Sequence, residues 1–495
     1  MMEKMKNKIF LLLLVFLGVE MLSVLAFAFS PFNKAIFVVL ALLFVVLSVC
    51  KLEWGLLIVL AELFIGSKGY LFYFPVEEVQ ISIRLTFWVL LMIIFAIKFL
   101  IQVFKYRDQS KYFRNIRHFI FTKTYFILFT FVALALVTAF YWNNSLSNIF
   151  LDFNAWLYFL LLIPIVAIYH QKDKKMIDNL KLVFLSAVIW LSVKTLLLLF
   201  IFTHSLSFEA SSYLWLRKSL IGEMTPTITG WPRVFIQSQI FPVIAYFFFL
   251  FRIQKYNLKE LFKFKKLYLI LLPALFASSL LISFSRSFWL ASLLTGILVL
   301  ILIWKKYSFK KMMTTLLWVA ITGIVSFAII YLTAILPIAK PGEFKANFVD
   351  RVSNTGEAAV VSRWSLLNPL FSQIMTAPVL GRGFGATVSY ISSDPRVLEA
   401  NPSGEYTTYA FEWGYLDMWL KFGILGLLAY LSLLFMLIRD SFRLGFKKNS
   451  YLFLGIGAGI VFLAITHFFT PYLNHPLGIG FIILSSCLIS RDRVY

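Results

Sequence analysis

Four arginines between residues 233 and 382 are the residues best suited to chemistry. Arg233 stands in Gly230-Trp231-Pro232-Arg233 and Arg286 in Ser283-Phe284-Ser285-Arg286-Ser287. Arg363 heads the stretch SRWSLLNPLFSQIM at residues 362–375, and Arg382 sits in Gly381-Arg382-Gly383-Phe384-Gly385. A guanidinium stays charged and grips phosphate oxygens with a planar fork of donors. Four of them around one pocket would bind a phosphate-bearing ligand. Each has a plainer reading as well. Arg286 could be a snorkelling anchor at a membrane surface. Arg382 alone reads as a solvated loop residue, because its glycine-rich turn lacks the lysine of a P-loop and the strand–helix frame of a dinucleotide site.

The acids offer a base. Asp350, Glu357, Asp394, Glu399, Glu405, Glu412 and Asp417 fall in or beside the same region, and most of them read as solvated. Glu412, in Phe411-Glu412-Trp413-Gly414, stands at an apolar boundary, where desolvation would raise its pKa and suit it to accept a proton. Asp417 and Lys421 are spaced i, i+4 and can simply pair. Glu20, Glu62 and Lys194 lie inside apolar runs, where a charge is either functional or internally paired. His467 and His475 flank the last turn and read as helix-end polar residues. Cys50 and Cys487 both lie in apolar segments, so neither a disulfide framework nor a zinc site is implied. No residue pattern calls for a cofactor or a metal.

These residues must be positioned by helices in a membrane. The chain is 61% hydrophobic and 14% charged, far from the balance of soluble domains. Apolar runs start near Ile9, Ala35, Trp54, Ile83, Thr124, Ile149, Leu180, Val234, Leu267, Phe288, Met312, Tyr415, Tyr451 and Leu477. The spacing predicts an all-α, polytopic bundle of about fourteen transmembrane helices in a single domain spanning residues 1–495. The third and last runs are short. The net charge of +23 could suggest nucleic acid, but the lysines and arginines cluster in alternate connections. That placement predicts membrane lipids as the surroundings, no nucleic acid, and both termini in the cytoplasm. The first run, about 20 residues, suits a retained helix better than a cleaved leader, although Ala26-Phe27-Ala28 faintly resembles a cleavage site.

One outer connection stands out. Residues 339–414, between helices 11 and 12, form a loop of roughly 75 residues, long enough to be functional. Apolar residues at helical spacing in 362–375 predict an amphipathic helix within it, followed by a tight turn at Pro378, Gly381, Gly383 and Gly385. The aromatic content of 18% fits interfacial belts and leaves sugar stacking open.

Over roughly residues 231–430 the chain resembles the O-antigen ligase and polymerase superfamily, bacterial membrane glycosyltransferases that use undecaprenyl-diphosphate-linked glycans. Four pieces carry the resemblance: Arg233 with Phe235 and Gln237-Ser238-Gln239 opening a helix; Ser283-Phe284-Ser285-Arg286; Arg363-Trp364 through Ala377-Pro378-Val379-Leu380-Gly381-Arg382-Gly383; and Tyr415-Leu416 through Phe422-Gly423-Ile424-Leu425-Gly426. The resemblance implies an inverting, metal-independent transferase in the cytoplasmic membrane with its site facing outward. Its partners would be a lipid-diphosphate-linked glycan donor and a glycan or lipid acceptor. Arg233, Arg286, Arg363 and Arg382 would bind the diphosphate, with Arg286 also catalytic. Ligase-type relatives place a histidine, the proposed base, where this chain has Glu412. A free glutamate titrates near 4.3 against about 6.5 for histidine. Either Glu412 takes the role, or the chain belongs to a branch that works without the histidine. Two other functions stay open: a flippase for lipid-linked oligosaccharides, which would show charges near the midplane and internal symmetry, and a member that only binds its lipid-linked sugar.

Overall fold

The computed structural model describes the whole chain except residues 1, 77–78, 107–110, 170–173, 226–230, 262, 338–357 and 495. Asp350 and Glu357, and the start of the long loop, lie outside the described residues.

Long apolar segments become helices because in hydrocarbon every backbone N–H and C=O must be satisfied within the segment. Among the described residues, nine helices are long and apolar enough to cross a membrane, including Ile83–Lys105, Thr122–Tyr141 and Gly414–Lys447. Two shorter apolar helices, Tyr268–Ile282 and Tyr451–His467, pack among them. The protein is thus an all-α, polytopic membrane protein. Every apolar run of the sequence lies on a helix, with one partial exception.

That exception is the run beginning at Val234. It was expected to open a helix at Arg233, but it opens as a strand, Arg233–Ile236, paired antiparallel with Gly222–Thr225. The cause is the alternation Arg-Val-Phe-Ile. Val234 and Ile236 are buried while Arg233 and Phe235 are half-buried, a period of two that suits a half-buried strand. A 3-10 turn at Gln237–Gln239 follows, and the helix itself runs only from Ile240 to Arg252. Two more hairpins, Tyr73–Val76 with Val79–Ser82 and Val388–Ile391 with Glu405–Thr408, decorate the connections.

The long loop holds the expected amphipathic helix, observed over Ala358–Thr376. Ser362, Leu366, Leu370 and Ile374 form its buried stripe, spaced i, i+4 as a core-facing stripe requires. That stripe packs with Ala386, Val388, Phe411, Trp413 and Leu420 into a small core of its own.

The helix Gly414–Lys447 is broken at Gly423, which adopts φ +67°, a backbone region that costs glycine nothing. The break frees carbonyls, and the glycine-rich turn takes them. Arg382 N–H donates to Leu420 O at 2.7 Å and Gly383 N–H to Lys421 O at 3.1 Å, while Ile424 N–H donates to Pro378 O at 2.9 Å. Phe384 follows as a wedge. It is fully buried, with ring centroids 5.2 Å from both Phe153 and Phe422. A Cβ on Gly383 would strike the backbone of Ala139, and one on Gly385 the backbone of Asn148 and Ile149. The turn therefore docks onto three helices at van der Waals distance, and only glycine fits.

Candidate active site at the loop end of the bundle

The strand that begins with Arg233 lies against the Ser283–Arg286 corner. Arg233 donates from Nε to Ser283 O at 3.0 Å, and its guanidinium carbon sits 5.1 Å from the centroid of the Phe235 ring, within cation–π range. Phe284 turns the corner with φ +45°, and Arg286 begins the helix Arg286–Lys306. The corner is fastened by hydroxyls. Ser285 N–H donates to Ser283 Oγ at 3.2 Å, Ser285 Oγ and Ser287 Oγ are 3.1 Å apart, and Ser287 Oγ lies 3.1 Å from Thr470 Oγ1 in the last turn.

Gln239 braces the Arg233 strand from behind. Its buried side chain accepts from Ile236 N–H at 3.0 Å and donates to Val234 O at 3.2 Å and Thr195 Oγ1 at 3.1 Å. Ser238 Oγ in turn accepts from Ser67 N–H at 3.0 Å. Arg84 donates to Ser67 O at 2.6 Å and pairs with Glu62 at 2.7 Å.

Arg363 and Glu412 form an ion pair through Nε and Oε2. Glu412 is 52% exposed, so the burial that the sequence suggested for it is not found. Trp413 Nε1 donates to Arg363 O at 2.9 Å, and its ring meets Trp364 at 5.6 Å and Phe468 and Phe469 at 6.0 Å. The last turn thus has neighbours on both sides, with Thr470 against the Arg286 corner and Phe468 and Phe469 against the Arg363–Glu412 segment.

Arg382 keeps different company. Its guanidinium carbon lies 4.7 Å from the Trp142 ring centroid, and Nη1 bonds Gln373 Oε1. Burial holds the guanidinium below its usual range. These contacts tie the glycine-rich turn to Trp142 and to the loop helix through Gln373, and none of them reaches Arg233, Arg286 or Arg363.

The histidines serve the backbone. His467 is buried and accepts from Leu473 N–H at 3.1 Å, with its ring against Gly414. His475 accepts from Leu477 N–H at 3.3 Å. Burial and the positive charges of Arg84 and Lys68 hold His475 down to about 3. The intramembrane charges find internal partners: Lys194 with Glu20 at 2.8 Å and Glu62 with Arg84.

Asp417 and Lys421 pair at 2.6 Å as their spacing suggested, and a third member joins them. Asp152 contacts Lys421 at 2.7 Å, accepts from Gly385 N–H at 2.9 Å, and so ties the glycine-rich turn to the helix Gly414–Lys447. Asn474 donates to Asp417 at 2.6 Å. Sequence reasoning passed over Asp152 and Arg84. The available signal was a single charge at the edge of an apolar run, which demands a partner.

The fold defines a multi-pass membrane protein in which the Arg233 and Arg286 segments meet, with the last turn between them and the Arg363–Glu412 segment. Residues 271–431 match the family model described as O-antigen ligase. The match supports the O-antigen ligase and polymerase superfamily, and with it a glycosyltransferase-type enzyme that handles a lipid-linked glycan and an acceptor. It takes in the Arg286 corner, the loop helix, the glycine-rich turn and the first part of the broken helix, including the break at Gly423. The Arg233 strand precedes it and is joined to it through Ser283. No curated protein matches the chain.

Proposed function

We propose that the protein transfers a saccharide from a lipid diphosphate of the undecaprenyl kind to a hydroxyl of a glycan or lipid acceptor. The reaction would take place at the outer face of a bacterial cytoplasmic membrane. The observation that carries this reading is the bond from Arg233 to Ser283, which holds two arginine-bearing segments together at the end of the bundle that bears the Arg363–Glu412 pair.

In this reading the acceptor oxygen attacks the anomeric carbon, forming the glycosidic bond as the bond from that carbon to the diphosphate oxygen breaks. The electron pair leaves with the diphosphate. Arg233, Arg286 and Arg363 would stabilise the charge gathering there, which is electrostatic catalysis. The acceptor proton passes to Glu412. A diphosphate would compete with Glu412 for Arg363, so donor binding would release the carboxylate for that role. Single displacement inverts the anomeric centre, and the charge stabilisation assigned to the guanidiniums requires no metal. Arg382, held by Trp142 and Gln373, would line the approach to the diphosphate rather than grip it.

The test is to replace Arg286 or Arg363 by alanine and assay long-chain surface glycan. Wild-type glycan from a stably inserted variant would remove that residue from the mechanism.

A further inference from the structure

Resting on that reading, we infer that the long loop carries a separate saccharide-binding cleft between its helix and its hairpin. The cleft has a volume of about 480 Å³ and is lined by Ser365, Pro369, Ser389, Tyr390, Ile391 and Glu405. That volume lies within the range of small-ligand sites.

Its chemistry selects a sugar. None of the six lining residues is cationic, and one is a carboxylate, so the cleft repels the diphosphate that the arginines attract. Two serine hydroxyls can donate or accept, and the Glu405 carboxylate accepts. Hydroxyl-rich ligands satisfy that set. Tyr390 supplies a ring for the apolar face of a pyranose, and Pro369 and Ile391 supply further apolar surface.

The cleft is built rather than incidental. Ser362 Oγ lies 3.1 Å from Ser392 Oγ and accepts from Ser393 N–H at 2.9 Å, which pins the helix to the end of the hairpin. Tyr390 is opposite Tyr406 in the strand register, with ring centroids 6.0 Å apart at 79°. Ser389 Oγ and Thr407 Oγ1 are 2.6 Å apart. The helix that supplies Ser365 also bears Arg363, so a sugar in the cleft and a diphosphate at the arginines are held by one rigid element.

The experiment uses full-length protein in detergent micelles and, as probe, the oligosaccharide repeat of the producing strain's surface glycan, freed from its lipid by mild acid. Saturation-transfer NMR reads binding. Wild type is expected to bind. Ser365→Trp, which fills the cleft, and Glu405→Gln are each expected to weaken binding about tenfold or more, the scale of one good polar contact. Far-ultraviolet circular dichroism identifies a variant that has unfolded, and Glu405→Gln, isosteric and exposed, keeps the test decisive if Ser365→Trp does so. Loss of the signal when lipid-linked donor is added assigns the cleft to the donor's sugars, and simultaneous binding assigns it to the acceptor chain. Either result supports the cleft. No binding to wild type, or undiminished binding to folded variants, overturns it. Failure of the transferase reading shows elsewhere, as wild-type surface glycan made by cells that lack the protein.

Discussion

Arg382 donates its backbone N–H to Leu420 O at 2.7 Å, and through that bond two glycine motifs explain each other. The turn from Pro378 to Gly385 occupies the break that Gly423 makes in the helix Gly414–Lys447. Unpaired carbonyls inside a membrane protein cost several kcal/mol each unless another donor arrives. The turn is that donor, and its glycines let it approach. The motif thus shapes the site through backbone contacts, and Lys421 and Asp152 reinforce the same junction from the side-chain level.

Gly383→Ala places a Cβ against the Ala139 backbone at φ +79°. The expected loss is about 2–4 kcal/mol, the scale of a backbone clash at a position reserved for glycine. Thermal unfolding in detergent should show a lowered midpoint, while Gly296→Ala, inside a helix and with a Cβ that meets nothing within 4 Å, should not lower it and should raise it slightly.

Lys421→Met strands Asp152 and Asp417 in a buried site. Removing one partner of a buried pair costs roughly 3–5 kcal/mol. The triple variant Asp152→Asn, Asp417→Asn, Lys421→Met should recover much of that loss. A triple variant as unstable as the single one would show that packing, not charge, dominates the junction.

Arg233→Lys keeps the charge but removes the Nε donor to Ser283 and the planar fork. Under the proposed reading, glycan output should fall by about 10–100-fold, the worth of a charge-assisted bond expressed as a rate. Quantifying surface glycan at matched protein levels checks this. Gln239→Leu should produce the same defect more weakly, because Gln239 braces the strand and does not reach the diphosphate.

His475 gives a pH signature. Its folded value of about 3 lies below the ordinary value near 6.5, so the unfolded state binds more protons between those limits. Stability then rises with pH across the window from about 3 to 6.5 and is indifferent to this group above it. A His475→Asn variant should show a shallower loss of stability on acidification through that window, measured as unfolding midpoint against pH. An unchanged slope would assign the acid sensitivity to other groups.

Leu370→Ala removes a fully buried side chain from the small loop core. A cavity of that kind costs about 2–5 kcal/mol. Limited proteolysis should cut the Ala358–Thr376 segment faster in this variant, with the membrane helices still protected.

The sequence by itself determined the membrane class, that its apolar runs are largely helical, the amphipathic loop helix and the Asp417–Lys421 pair. Each of these follows from local periodicity or from a hydrocarbon solvent that forbids open backbone. Only the tertiary structure decided the rest. The Arg233 segment is a strand because it pairs with Gly222–Thr225 in a hairpin, and Glu412 meets Arg363, distant in sequence, at a half-exposed position. Asp152 joins Lys421 across the bundle, and Arg382 turns to Trp142 rather than to the other arginines. Pairing energies between residues far apart in the chain exist only once packing has brought them to contact distance, and no spacing rule along one sequence encodes which distant partners will meet.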